Sequence, residues 1–226
     1  LFRSGGDGKD TLIGGTGNDS IKLNNSDDNL IRYSSGDGKD TIVGFGDDDT
    51  LSISGSYSTQ SSGNDFIVKV GKGTINLKNA YATTDKIRIN KKSISLKRKT
   101  INLSSSNNDI TISRDSISVV GSSSAAYIYN YGDNVTISGG KGNDYISNLD
   151  GEDALINGGA GNDTIYNHDE EATISGGAGA DYIYNSDKDV SISGDAGNDT
   201  ITSRIYSYGT LSGGNWGSDW SNTING

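Results

Sequence analysis

Gly139-Gly140-Lys141-Gly142-Asn143-Asp144-Tyr145-Ile146 is the stretch on which the reading of this chain turns. Its first six residues, Gly-Gly-x-Gly-x-Asp, return unbroken from Gly5, Gly14, Gly158 and Gly176, and a lone aliphatic usually sits two places after the Asp. Near copies start at Ser35 (Ser-Gly-Asp-Gly-Lys-Asp) and Gly194 (Gly-Asp-Ala-Gly-Asn-Asp), and a stretched copy starts at Gly213 (Gly-Gly-Asn-Trp-Gly-Ser-Asp). Self-similarity at a fixed period marks a repeat architecture. Here the repeat also delivers carboxylates and tight turns at regular intervals.

The period differs along the chain. In 1–53, Asp10, Asp19 and Asp28 are nine apart and are followed by Leu12, Ile21 and Leu30; Asp40 and Asp49 resume the step with Ile42 and Leu51. The Asp28 unit has lost its glycines. In 121–226 the glycine turns begin at 139, 158, 176 and 194, and Ile146, Ile165, Ile183 and Ile201 follow them. A second ladder, Ile137, Ile156, Ile174, Ile192 and Leu211, runs between them. Each period therefore holds two short strands and two turns, of which one is glycine-rich and the other acidic. Residues 54–120 lack the motif but alternate apolar and polar residues, the strand pattern. That stretch either continues the coils without ions, since Ile94 to Ile110 and Ile101 to Ile117 both step sixteen, or forms antiparallel hairpins. The expected division is 1–90, a first roll with flanking strands; 91–120, connecting or capping strands, partly basic; and 121–226, a second roll.

Composition alone leans towards disorder, because only 31% of the 226 residues are hydrophobic and the net charge is −10. The periodicity argues the other way, and positive-φ turns supply a reason for 33 glycines. The absence of Cys excludes disulfides and thiolate metal sites. No apolar run is long enough to span a bilayer, and no signal peptide is visible. The acidic balance disfavours nucleic acid and favours cations. With Leu1 at the start and no Met, the chain is read as part of something longer.

Strands of about three residues are not stable alone. If each period makes one coil, coils stack at the ~4.8 Å strand spacing and each aliphatic covers its counterpart, giving an all-β fold with a thin core. The same stacking sets Asp above Asp. Two carboxylates ~5 Å apart repel by roughly 3 kcal/mol at an effective dielectric of 20, and a divalent cation between them reverses the sign. The available ligands are carboxylate and carbonyl oxygens, which suit Ca²⁺ with its six to eight loosely arranged ligands better than octahedral Mg²⁺. Zinc would want His or Cys, and the chain has one His and no Cys.

On these hexapeptides, 1–53 and 121–226 resemble the calcium-binding nonapeptide repeats of the RTX family. The resemblance implies a right-handed parallel β-roll, or β-solenoid, with calcium between coils, beside a motif-poor all-β segment. It implies as metal ligands Asp10, Asp19, Asp40, Asp49, Asp144, Asp163, Asp181, Asp199 and Asp219, together with turn carbonyls; the Asp219 turn carries an extra residue. It also implies an extracellular, bacterial-surface location reached by type I secretion, with folding outside the cell. Only one edge of 121–226 keeps the motif, so a single file of ions is expected there. Ala126 stands at the ligand position of the turn Gly121–Ala126, which is expected to hold no ion and to begin the second roll. In 1–53 both edges are candidates, Asp10, Asp28 and Asp49 on one and Asp19 and Asp40 on the other.

Other features are weighed against plain structural roles. Asn130, Asn148, Asn167 and Asn185 recur at turn starts and read as a stacked amide ladder. The acidic turns of 148–189 read as a solvated face. Tyr127, Tyr129, Tyr131, Tyr145, Tyr166, Tyr182 and Tyr184 either stabilise neighbouring strands or form a glycan- or partner-binding face. Lys86–Lys99, with seven basic residues and no acidic one, either guards an edge strand or docks on the acidic face of another copy. His168 reads as a solvated turn residue, and Trp216 and Trp220 as a cap. Catalytic motifs are absent: there is no His-Glu-x-x-His and no Gly-x-Ser-x-Gly, so no enzyme is expected. Two functions remain: a calcium-rigidified part of an adhesin, surface layer or filament, or the accessory module of a larger secreted enzyme or toxin. End-to-end self-association is a further expectation.

Overall fold

The structure is a computed structural model that describes residues 2–24, 28–90, 92–96, 99–105 and 108–204 and the backbone of a strand at 223–225. Leu211, Trp216, Asp219 and Trp220 lie outside the described residues. The chain divides into two compact units, Leu1–Lys99 and Thr100–Gly226. Among the described residues both are all-β apart from one four-residue helical turn.

In the first unit, β1 (Phe2–Ser4), β2 (Thr11–Ile13), β3 (Ser20–Lys22), β4 (Leu30–Ser34), β5 (Lys39–Val43) and β6 (Thr50–Ser54) alternate between two parallel sheets. Ile21 stacks on Ile42, and Leu12, Ile31 and Leu51 stack opposite. The roll then changes character. A three-stranded antiparallel meander follows: β7 (Tyr57–Ser62), β8 (Asp65–Val70) and β9 (Gly73–Lys78). Its β9 lies parallel on β5, with Ile42 against Leu77. After the helical turn α1 (Ala80–Thr83), β10 (Lys86–Ile89) lies parallel on β6 and folds back antiparallel into β11 (Lys92–Ser95). Phe45, Phe66, Val68, Val70 and Tyr81 are buried in this cap.

The second unit is the more regular. Even-numbered strands β12 (Thr100–Asn102), β14 (Ser118–Ser122), β16 (Thr136–Gly140), β18 (Leu155–Ala160), β20 (Thr173–Ala178), β22 (Ser191–Ala196) and β24 (Thr223–Asn225) form one parallel sheet. Odd-numbered strands β13 (Asp109–Ile112), β15 (Tyr127–Asn130), β17 (Tyr145–Asn148), β19 (Thr164–Asn167), β21 (Tyr182–Asn185) and β23 (Thr200–Ser203) form the other. Ile137, Ile156, Ile174 and Ile192 line one wall of the core, and Ile128, Ile146, Ile165 and Ile183 the other; all are buried. Each such Ile contributes roughly 1.5–3 kcal/mol.

Several expectations from spacing are corrected. The rung at Asp28 is shifted by one: Ile31, not Leu30, is the buried aliphatic, and Asn29 stands beneath Asp49 and above Asp10. The strand after Ile192 in its ladder carries Ile224 in place of Leu211. The motif-poor stretch follows both alternatives in turn, hairpins in 57–95 and parallel coils from 100 onward, with Ile101 paired to Val119 at a step of eighteen, not sixteen. The Gly121–Ala126 turn therefore does not begin the second roll; β12 and β13 make a coil before it.

Candidate metal centre

A carboxylate file runs along the glycine-turn edge of the second roll. Each ligand-position Asp lies at the foot of its strand, and the stacked register sets it above the equivalent residue of the preceding coil. Ala126 N–H donates to Asp144 Oδ1 at 2.7 Å, Asp144 N–H to Asp163 Oδ1 at 2.8 Å, Asp163 N–H to Asp181 Oδ1 at 2.8 Å and Asp181 N–H to Asp199 Oδ1 at 2.9 Å. One oxygen of every carboxylate is thus spent on the main chain of the coil below.

The other oxygen is the informative one. Oδ2 of Asp144, Asp163 and Asp181 is buried and accepts no hydrogen bond. An unsatisfied buried carboxylate oxygen is costly, and a native structure keeps one only where something else satisfies it. These oxygens lean over the first glycine of their own turn, towards the carbonyl of the next. A β-carbon placed on Gly176 would lie 2.6 Å from Asp181 Oδ2 and 2.8 Å from the Gly194 carbonyl oxygen. The same two partners, one turn along, crowd Gly139 and Gly158. Glycine is required because carboxylate and carbonyl oxygens converge where a side chain would begin.

Burial holds the Asp163 carboxyl up at about 6, against hydrogen bonding from Asp144; Asp144 and Asp181 are raised for the same first cause. These are carboxylates whose charge is expensive without a counterion. Among the described residues no three His, Cys, Asp or Glu side chains gather into a metal cluster. One carboxylate per rung plus main-chain carbonyls is what the second roll offers an ion. It is an all-oxygen set, and it fits calcium.

The first roll departs from this regularity. On one edge Asp19 N–H donates to Asp40 Oδ1 at 3.0 Å, and Oδ2 atoms of Asp19 and Asp40 come within 2.9 and 2.8 Å of a β-carbon placed on Gly14. Two carboxylates converge there. Tyr33, buried on β4, donates its hydroxyl to the Gly38 carbonyl just before Asp40. On the other edge Asp10 N–H donates to Asn29 Oδ1 and Asn29 N–H to Asp49 Oδ1, so the file reads Asp10, Asn29, Asp49. Asp10 Oδ2 is buried without a hydrogen bond. Asp49 differs: Oδ2 accepts the Gly46 N–H at 2.8 Å while Oδ1 accepts from Asn29. Both its oxygens are engaged inside the protein, and burial raises its carboxyl to about 6. Asp28 points to solvent and pairs with Lys9.

The remaining sequence features find plain places. The buried Asn ladder is continuous, with Asn130 Nδ2 donating to Asn148 Oδ1, Asn148 to Asn167 and Asn167 to Asn185 at 2.7–2.8 Å. Tyrosines on the outer face of the β13–β23 sheet contact one another at centroid distances of 5.7–6.0 Å. His168 is exposed beside Tyr166 and Ser186. In the basic segment Lys86 and Arg88 pair with Asp47 and Asp48, and Lys91, Lys97 and Arg98 lie outside the described residues. The charge imbalance sits in residues 100–226, which hold 4 Lys and Arg against 17 Asp and Glu.

The family description "RTX calcium-binding nonapeptide repeat (4 copies)" matches residues 4–31, 32–52, 131–155, 155–168 and 175–204, about half of the chain. No curated protein matches the chain. Among solved structures, the extracellular lipase LipA from Serratia marcescens is similar, with 16% sequence identity and a TM-score of 0.31. The similarity covers 92% of this chain and 38% of that one, so the chain spans well under half the length of that neighbour.

Proposed function

Because this chain belongs to the family of RTX calcium-binding nonapeptide repeats, we propose that its two units are calcium-rigidified structural portions of a secreted or bacterial cell-surface repeat protein. The repeats bind calcium and form a non-catalytic β-roll. Ions between coils would be held by Asp10, Asp19, Asp40, Asp144, Asp163, Asp181 and Asp199 with glycine-turn carbonyls; Asp219 completes the set by sequence. Asp49 instead closes its own turn.

The observation that carries this reading is the row of buried, unsatisfied Oδ2 atoms on Asp144, Asp163 and Asp181. Without ions the file opposes folding, and with them it ties each coil to the next. Extracellular calcium modules bind at ~10⁻⁴–10⁻³ M. At ten times such a value each site adds roughly 1.4 kcal/mol. Several coupled sites make the chain disordered where calcium is scarce and ordered outside the cell, and the folded roll then serves as a stiff spacer of adhesin, surface-layer or filament type.

Circular dichroism tests it. A coil-like spectrum in chelator should become a β spectrum at millimolar calcium, with magnesium a poor substitute; a β spectrum indifferent to chelator would overturn the reading.

A further inference from the structure

Open sheet edges offer unpaired N–H and C=O groups to any passing strand, and proteins guard them with shortness, charge, proline or a bulge. The described edges here are guarded in those ways. β1, β2 and β12 are three residues long; β11 begins at Lys92, β13 begins at Asp109, and β23 is followed by Arg204. One edge has no guard. β7, Tyr57-Ser58-Thr59-Gln60-Ser61-Ser62, is six residues long, carries no charge and no proline, and pairs with β8 at every position without a bulge. Five of its six residues are exposed, whereas β8 beside it is largely buried.

The hydrogen-bonding parity of β7 is fixed by its hairpin. Ser62 and Asp65 flank the two-residue turn Gly63-Asn64, with Gly63 at φ 59°, so Ser62 and Asp65 exchange main-chain bonds. Counting back, Gln60 and Ser58 also bond inward to β8. Tyr57, Thr59 and Ser61 therefore point their N–H and C=O groups out of the sheet.

We infer that β7 is an assembly edge, and that its partner is β7 of a second copy of this chain, paired antiparallel about a two-fold axis through Thr59. In that register Thr59 faces Thr59 and Tyr57 faces Ser61 of the partner, which forms about six main-chain hydrogen bonds. A two-fold axis sets the central residue against itself, so any charge there would repel its own copy. Thr59 and its neighbours are neutral, and the exposed Lys69, paired with Ser58, sits one strand back from the seam on β8. The product is one continuous twelve-stranded sheet, with the β1 ends of the two copies at its far margins. The contact is narrow, at the low end of interface size, so a weak dimer is expected.

Sedimentation velocity on the 226-residue chain in calcium, from 5 to 500 μM, tests it. Dimer should grow with concentration, and Thr59→Lys should weaken it at least tenfold while the calcium-loaded circular dichroism spectrum stays unchanged. A monomer throughout the range, or a dimer indifferent to Thr59→Lys, overturns the proposal. A second arm needs no weak equilibrium. The chain lacks Cys, so Thr59→Cys gives a single thiol, and paired strands hold it within disulfide reach of its copy. Under mild oxidation it should cross-link at least tenfold faster than Thr136→Cys, an exposed strand position in the second unit. Equal rates would overturn the two-fold register. Neither arm depends on where calcium binds, so failure here leaves the ion assignment standing.

Discussion

The main-chain N–H of Asp144 donates to Oδ1 of Asp163 at 2.8 Å, while Oδ2 of Asp163 is buried and takes no hydrogen bond. One carboxylate thus has a structural half and a half held in reserve. The division separates what folds the coil from what the coil leaves unsatisfied.

Asp163→Asn separates the two halves experimentally. The amide oxygen keeps the bond from Asp144, whereas the charge and the second ligand oxygen are lost. In chelator the variant should be at least as stable as the parent, because a buried unpaired charge has gone. In calcium it should be the weaker, with a higher calcium midpoint and one fewer high-affinity ion by calorimetry. A loss of stability equal in chelator and in calcium would contradict the assignment.

Gly176→Ala places a methyl group 2.6 Å from Asp181 Oδ2 and 2.8 Å from the Gly194 carbonyl oxygen. The neighbour on one side is main chain and does not yield cheaply. A destabilisation of about 2–4 kcal/mol in calcium is expected, in the range of overpacking and strain. Gly6→Ala meets nothing within 4 Å and pays only for its φ of 78°, so it should cost about 1 kcal/mol. Chemical denaturation at fixed calcium compares them.

The pH dependence should change sign with calcium. Burial holds Asp163 at about 6, well above the 3.8 of an unperturbed Asp. Between those values the metal-free fold binds more protons than the unfolded chain. Its stability is therefore fully present below about 3.8 and is lost as pH rises through about 6, by on the order of 2–3 kcal/mol for this group. Calcium needs the carboxylate, so acidification from pH 7 to 5 should raise the calcium midpoint about tenfold. Melts in chelator and calcium titrations, each at two pH values, check both slopes.

Asn148→Leu removes a buried donor and acceptor together. It strands Asn130 Nδ2 on one side and the Asn167 acceptor and Gly151 carbonyl on the other. A cost of about 2–4 kcal/mol follows, calcium present or not. Equal losses in both conditions would mark the ladder as structural and distinguish it from the carboxylate file.

Much of this was legible in the sequence because the same repeat fixes both the coil and the carboxylate file. The Ile137–Ile156–Ile174–Ile192 wall and the Asp144–Asp163–Asp181–Asp199 file follow directly from the period. What failed did so for local reasons. Leu30 and Ile31 are adjacent aliphatics, and in a strand a one-residue shift exchanges the inner and outer faces. Only pairing with Leu12 and Leu51 selects Ile31, and that choice puts neutral Asn29 in the file instead of Asp28. Asp49 matches the motif position, and the bond it accepts from the Gly46 N–H is one that spacing does not reveal. The hairpins of 57–78 carry the same alternation as parallel coils, and alternation does not encode strand direction.

The carboxylate and asparagine files of the second roll share one direction, while the Asn162 and Ala180 N–H groups donate the other way, to Asn143 Oδ1 and Asn162 Oδ1 of the preceding coil. Asp144 gives to Asp163 as Asn148 gives to Asn167, donor in the earlier coil and acceptor in the later. Each file is therefore polar: in a neighbouring pair the earlier member has its donor engaged and the later its acceptor. The asparagine file hands over to a residue of different chemistry at Ser203, whose hydroxyl accepts from Asn185 Nδ2 and so gives the last amide a partner without prolonging the amide series.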